Sequence, residues 1–238
     1  MKEWKENNRA GIRILGIKTD HTTKGREKDD FYATDPVALE KLLDHCSLFL
    51  ENIFNSCRFP RDFRYENMPH FIRKNGQVSE WPVYIWECAV GTGNLADVLQ
   101  ARELQVVWTD LKDRGYGKWR GMYNYDFLKT GQEFLWKYNV GVILTNPPYS
   151  LANEFAEHAL EILPDNGLYI ALMNLQYLSG QKRYDRIYKY GSLREVYIFS
   201  KRVECWKNNT PSGHSSMANY AWYVFQKGYK GQPTLYWL

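Results

Sequence analysis

Four cysteines, Cys46, Cys57, Cys88 and Cys205, are scattered through 238 residues with no CxxC pair and no Cys/His ligand spacing. That scatter argues against a zinc site and against a disulfide framework, and leaves reduced, buried thiols as the expectation. The five histidines form no readable cluster, so no metal is expected. No stretch approaches the roughly 18 apolar residues that a membrane span requires. The polar start MKEWKENNRAGIRILG also lacks the apolar core of a signal peptide. A soluble, cytoplasmic protein is therefore expected. Internal repeats and low-complexity tracts are missing too, which removes solenoids and arrays. Nor does charge of one sign dominate: a net charge of +4 suits a polyanionic partner without demanding one.

What is present is apolar and aromatic. A hydrophobic fraction of 44% with 16% aromatics describes a packed globular chain, because disordered chains are poor in aromatics. Residues 1–30 read as a polar N-terminal arm, with the mixed charge run KGREKDD at 24–30. From Asp35 and Pro36 the pattern VALEKLLDHCSLFLENIF predicts a helix over 36–54, started by an Asp cap and a first-turn Pro. Residues 55–82 carry three prolines and no steady period, which marks an insertion too short to be a second domain. Residues 31–238 are then one domain. Strand and helix patterns alternate beyond the insertion: VYIWE (83–87), a helix from Asn94, QVVWTD (105–110), a helix over 131–138 and VGVILT (140–145). A helix over 151–163, GLYIALM (167–173), a helix near 181–190, REVYIFS (194–200) and NYAWYVFQ (219–226) follow. Short β-rich runs separated by helices predict an α/β fold with a mainly parallel sheet. The last two strands have no helical pattern between them and are expected to be antiparallel neighbours.

Directly after VYIWE comes ECAVGTGNLADVL, a strand running through a glycine turn into a helix. Gly91 and Gly93 let the backbone approach a ligand closely, and the helix offers its N-terminal amides. A GxG alone is weak, because many helix entries carry two glycines for steric reasons. Asp110 strengthens it by ending the next strand, where nucleotide-binding α/β folds place an acid to grip ribose hydroxyls. Leu95 and Ala96 stand where the third glycine of a dinucleotide fold would fall, and no Walker A lysine follows, which sets ATP hydrolysis aside. A structural turn with a strand-ending Asp is the plain alternative.

The run VGVILT breaks abruptly into NPPYS at 146–150. Two prolines remove backbone donors and fix φ, so Pro147 and Pro148 predict a rigid, extended turn at the end of a buried strand. Asn146 offers a side-chain oxygen, and the Pro147 carbonyl is not absorbed by a following N–H. Two acceptors converging on one point suit a planar amino group. An exocyclic nucleobase amine is a poor nucleophile because its lone pair is delocalised. Acceptors that pull on its hydrogens favour the pyramidal geometry of the transition state. Tyr149 supplies a flat face for an extruded base. An Asn-Pro-Pro turn with a surface Tyr is the bland alternative.

Taken together, these motifs resemble the S-adenosylmethionine-dependent amino-methyltransferases, and most closely the N6-adenine DNA methyltransferases of the phage type. FYATDPVALEKLL is similar to their N-terminal motif, which implies cofactor contacts from Phe31, Tyr32 and Thr34. ECAVGTGN is similar to their glycine-rich loop and implies the same for Glu87, Ala89, Gly91 and Gly93. Asp110 matches the ribose-binding acid. YDFL at 125–128 matches the motif whose acid and aromatic hold the cofactor adenine, here Asp126 and Phe127. NPPY matches the catalytic motif over Asn146, Pro147, Pro148 and Tyr149. The resemblance implies a class I methyltransferase (Rossmann-like) fold, a seven-stranded, mostly parallel sheet with an antiparallel last strand and helices on both faces. It implies methyl transfer from S-adenosylmethionine to N6 of adenine in DNA by base flipping and direct in-line transfer, without metal. Cys88 stands where the family commonly has Pro, and TDP replaces the more frequent TP or TPP of the first motif.

Residues 178–209 hold eight Lys or Arg against three acids, which suggests phosphate contacts from Lys182, Arg183, Arg186, Lys189, Lys201 and Arg202. Each is equally a candidate for a solvated face. The loop 201–218 offers Trp206 as a wall of the base pocket, or as packing for its own hairpin. Arg58, Arg61, Arg64, Arg73 and Lys74 of the insertion are weaker candidates for DNA contact. Protein glutamine and RNA guanine remain alternative amine acceptors, and a non-catalytic nucleic-acid-binding module remains an alternative of another class. A restriction-modification role is compatible with the reading; recognition sequence, strand preference and oligomeric state are not legible.

Overall fold

A computed structural model describes residues 32–54, 83–118, 120–203, 205–207 and 218–238; for Tyr32, residues 46–54 and Lys207 it describes the backbone alone. The arm 1–30, Phe31, the insertion 55–82 and residues 208–217 lie outside the described residues. The elements are β1 (Tyr32–Thr34), α1 (Pro36–Phe54), β2 (Tyr84–Glu87), α2 (Asn94–Ala101), β3 (Val106–Thr109) and β4 (Gly121–Met122). They continue with α3 (Gln132–Tyr138), β5 (Val140–Thr145), α4 (Ala152–Ile162), β6 (Leu168–Asn174), α5 (Gln181–Arg186) and β7 (Leu193–Ile198). The last are β8 (Cys205–Lys207), β9 (Tyr220–Gln226) and β10 (Thr234–Trp237).

Eight strands form one sheet in the order β10-β7-β9-β6-β5-β2-β3-β4, and β9 alone runs against its neighbours. Strand pleating explains how one sheet serves two cores, since successive side chains leave on opposite faces. Ile85 and Val142 join Leu39 of α1 and Leu99 of α2 on one face. Trp86 and Ile143, one residue on, join Leu135 of α3 and Phe155 of α4 on the other. All six residues of β5 are buried, as a strand covered on both faces requires. Helix α1 starts as its sequence predicts, with Val37 N–H donating to Asp35 Oδ1 at 3.0 Å and Pro36 in the first turn. Trp222 Nε1 of β9 donates to the Ala38 carbonyl at 2.9 Å and so pins that helix to the sheet.

The α/β architecture, the mostly parallel sheet and the antiparallel β7–β9 pair agree with the sequence reading. Four differences have physical causes. An eighth strand, β10, extends the edge beyond the expected seven and runs parallel to β7. It is exposed along its whole length, so no apolar alternation announces it. The helix expected near 181–190 ends at Arg186, and a 3-10 turn over Tyr188–Tyr190 follows, closed by Gly191 at φ 83°. Short strands β1 and β8 pair antiparallel, which places Thr34 opposite Cys205. The two-residue β4 lies in a stretch that reads only as polar.

Candidate functional site

In an open α/β sheet the carboxyl ends of the parallel strands are where ligands bind. Here the ends of β2, β3 and β5 share a cavity of about 320 Å³. Its wall contains Thr34, Glu87, Ala89, Gly91, Asp110, Asp126, Phe127 and all four residues Asn146 to Tyr149. Motifs separated by up to 115 residues in the chain therefore meet in one place. Gly93 caps α2 just outside that wall.

The loop after β2 is built by left-handed glycines. Gly91 has φ 58° and Gly93 φ 89°, and a Cβ on Gly93 would stand 2.1 Å from the Tyr116 ring. Asp110 closes the loop onto β3: its Oδ2 accepts from Gly91 N–H at 2.8 Å and its Oδ1 from Lys112 N–H at 2.8 Å. The acid expected to hold a ribose thus already holds the backbone, and each oxygen keeps a second lone pair for a ligand. Asn94, at the start of α2, donates through Nδ2 to the Thr34 carbonyl at 2.8 Å, tying β1 to the glycine loop.

Glu87 differs from Asp110. Its side chain is 1% exposed, and its Oε1 accepts from Ala89 N–H at 3.2 Å. Among the described residues its Oε2 and the neighbouring Thr145 hydroxyl meet no partner at full hydrogen-bond geometry. Burial pushes the carboxyl up to about 8, and the charge of Asp110 adds to this; the Thr145 hydroxyl, close by but short of full hydrogen-bond geometry, and the Ala89 amide offset part of it. At neutral pH this carboxyl is mainly the neutral acid.

Asp126 caps the 3-10 turn Phe127–Lys129, accepting from Leu128 N–H at 3.1 Å and pairing with exposed Lys129. Phe127 is buried between Trp86, 5.2 Å away between ring centroids, and Phe155 at 4.7 Å, so it forms the cavity base as well as the core. Pro147 is buried, and the Pro148 carbonyl accepts from Leu151 N–H at 2.9 Å, which fixes the turn into the 3-10 segment Tyr149–Leu151. The Tyr149 hydroxyl donates to Cys205 Sγ at 3.4 Å, and its ring stacks on Tyr220 with centroids 6.0 Å apart. Burial raises the Tyr149 hydroxyl well above its ordinary range and pushes the Cys205 thiol up to about 11.

Sequence reasoning passed over Asn94, Lys112, Arg114 and Tyr125, which also line the cavity. For Asn94 a signal existed, since it follows the glycines directly; the other three stand in irregular segments whose path only the fold sets. Trp206 lines a separate groove with Pro36 and Asp97, while its strand neighbour Cys205 touches Tyr149. Of the basic candidates, Lys182, Lys189 and Lys201 are exposed. Arg183 donates through Nε to the Ser179 carbonyl at 2.9 Å and lies over the Tyr177 ring. Arg186 pairs with Glu157, and Arg202 donates to Asn219 Oδ1 at 3.2 Å. Among the described residues no helix is long and apolar enough to cross a membrane.

No protein-family model and no curated protein matches this sequence. Solved structures do. The type IIG restriction endonuclease BpuSI is similar with a TM-score of 0.55 at 16% identity, over 84% of this chain and 26% of that one. This chain thus spans about a quarter of that enzyme's length. A putative class I S-adenosylmethionine-dependent methyltransferase from Listeria monocytogenes gives 0.55 at 14% identity, over 97% of this chain and 72% of that one. A putative hemolysin from Lactococcus lactis gives 0.52 at 12% identity, over 84% and 91%. At such identities the likeness establishes the fold, which is that of class I methyltransferases.

Proposed function

We propose that residues 31–238 form a methyltransferase domain that transfers the methyl group of S-adenosylmethionine to the N6 amino group of adenine in DNA. The observation that carries this reading is the single cavity whose wall holds the glycine loop, Asp110 and the NPPY turn together. The cavity suits the cofactor in three ways: the Gly91 backbone lies at its wall, Asp110 keeps acceptor capacity, and a buried Glu87 oxygen lacks a partner there. When bound, S-adenosylmethionine supplies a methyl group already activated by its sulfonium. Thr34, Glu87, Ala89, Gly91, Asp110, Asp126 and Phe127 are then the binding wall, with Gly93 shaping the loop; Phe31 and Tyr32 extend it by resemblance.

Asn146 and the Pro147 carbonyl orient the amine by accepting its hydrogens, which favours the pyramidal nitrogen of the transition state. Pro148 keeps the turn rigid. Tyr149, held from behind by Cys205 and Tyr220, offers the surface against which a flipped base rests. The BpuSI likeness favours DNA as the bearer of that amine, and exposed Lys182, Lys189 and Lys201 supply positive charge for its backbone.

The test is expression in a methylation-deficient bacterium, with modified adenines mapped by long-read sequencing, alongside Asn146→Ala. Adenine modification that the variant loses is the expected result. Equal signals from both, or none from either, overturn the reading. Methyl transfer to protein glutamine or RNA guanine in place of DNA moves the substrate within the same chemistry.

A further inference from the structure

The turn Asp126–Thr130 brings Asp126 and Phe127 to the cavity wall, and its own groups close its backbone. Leu128 N–H donates to Asp126 Oδ1 at 3.1 Å, Thr130 N–H to the Phe127 carbonyl at 3.1 Å, and the Thr130 hydroxyl to the Asp126 carbonyl at 3.0 Å. These bonds set the shape of the turn and leave its position in the site to outside contacts. Helix α4, which follows the NPPY turn and the 3-10 segment behind it, supplies two of them. Phe155 and His158 stand three apart on α4 and so share a face. Phe155 packs on Phe127 with ring centroids 4.7 Å apart, and His158 sets its ring edge-on to Phe127 at 5.0 Å. His158 Nε2 lies 2.9 Å from the Thr130 carbonyl. A carbonyl only accepts, so Nε2 carries the hydrogen and donates it. Thr130 is buried, where an unmet carbonyl is costly. Ring packing holds Phe127 without fixing its direction, whereas this hydrogen bond sets a distance and an angle at the last residue of the turn.

We propose that His158 is a positioning residue for the cofactor: by holding the Thr130 carbonyl it fixes the turn from which Asp126 and Phe127 receive the adenine ring. This rests on the reading of the cavity as an S-adenosylmethionine site with its adenine end at that turn. His158 touches no ligand; it acts through Thr130 and Phe127. Without its donor the turn keeps its internal bonds and loses its tether to α4, so that binding must reorder it. Such a loss costs affinity of the size of one ordinary hydrogen bond, about fivefold. The competing account makes His158 a support of the fold alone, with the Thr130 carbonyl as an anchor for α4. That account predicts a lower melting temperature and unchanged ligand affinity.

The test is calorimetric titration of the full chain and two variants with S-adenosylhomocysteine, which lacks the transferable methyl, and with adenosine, which keeps only the adenine end. His158→Leu removes the donor at similar size, and His158→Gln keeps an amide N–H at about the reach of Nε2. Titrations run well below the lowest melting midpoint. His158→Leu should bind both ligands about fivefold more weakly, and His158→Gln should stay within about twofold of wild type. In steady-state methylation His158→Leu should raise KM for S-adenosylmethionine by a similar factor and leave kcat within about twofold, since the acceptors for the amine are untouched. If His158→Leu does not fold, His158→Asn, whose shorter amide stops short of the Thr130 carbonyl, takes its place with the same expectation. Wild-type affinity in the donor-free variant overturns the inference and leaves the functional reading standing. A loss with S-adenosylhomocysteine that adenosine does not share also overturns it, as does a His158→Gln variant as weak as His158→Leu. No binding of either ligand by the wild-type chain overturns the functional reading itself.

Discussion

The ends of β2 and β3 lie side by side, and each carries a buried acid, yet the two carboxyls are in opposite conditions. Asp110 accepts backbone N–H groups on both oxygens and thereby shapes the glycine loop. Glu87 accepts one, leaves Oε2 without a partner, and is raised to about 8. One acid is tied into the architecture of the site, and the other stands in it with an oxygen that no described residue satisfies. The lesson is that a carboxyl's role follows from the donors around it rather than from its place at a strand end. The end of β5 is a third case, where prolines withdraw donors and leave acceptors presented.

That contrast can be broken most severely at β5. Asn146→Ala should lower methyl transfer by about 10²–10³-fold while leaving S-adenosylhomocysteine affinity within about twofold, because it removes an acceptor used on the amine. Single-turnover methylation and ligand titration separate the two effects, and a matched loss of binding would place Asn146 with the β2 and β3 ends instead.

Glu87→Gln sharpens the comparison through stability. The unfolded carboxyl ionises from about pH 4.5, whereas the folded one keeps its proton to about 8, so this group lowers wild-type stability progressively as pH rises between those values. The variant should therefore gain over wild type with rising pH, by on the order of 4 kcal/mol at pH 8 and little below pH 5. Thermal melts across that window decide it; a constant difference would show that Glu87 is already ionised.

Asp110→Ala should behave in the opposite manner, losing about 2 kcal/mol because two N–H groups lose their charged acceptor. Denaturant unfolding measures this, together with ligand affinity weakened by at least about tenfold if the loop binds through its backbone. Gly93→Ala is the smallest change, about 1–2 kcal/mol, because its φ of 89° and the Tyr116 ring both resist a Cβ. A neutral result there would mean that Tyr116 swings away freely.

Much of the candidate site is legible in the sequence. The positions of Gly91, Asp110 and NPPY at strand ends follow from local pattern, since a strand, a glycine turn and a helix start are each written within a dozen residues. Tyr125, Lys112 and Arg114 were not legible, because they sit in irregular segments whose path depends on β3 and β4 pairing. Trp206 is a candidate from sequence because its loop joins two strands at the end where a substrate would enter. Pairing of β8 with β1 instead brings Cys205 to Tyr149 and Trp206 to another groove. Strand β10 escaped notice because backbone bonds to β7 hold it while its side chains stay in solvent.

By itself, then, the order of residues determined the α/β class, the strand-end placement of the motifs and the chemistry that an Asn-Pro-Pro-Tyr turn offers, since these depend on period, capping and ring constraint over short distances. Only the tertiary structure decided which of two neighbouring acids is satisfied and which is not. Hydrogen-bond partners and burial come from residues far apart in the chain, and they alone set whether a carboxyl holds a loop or holds a proton.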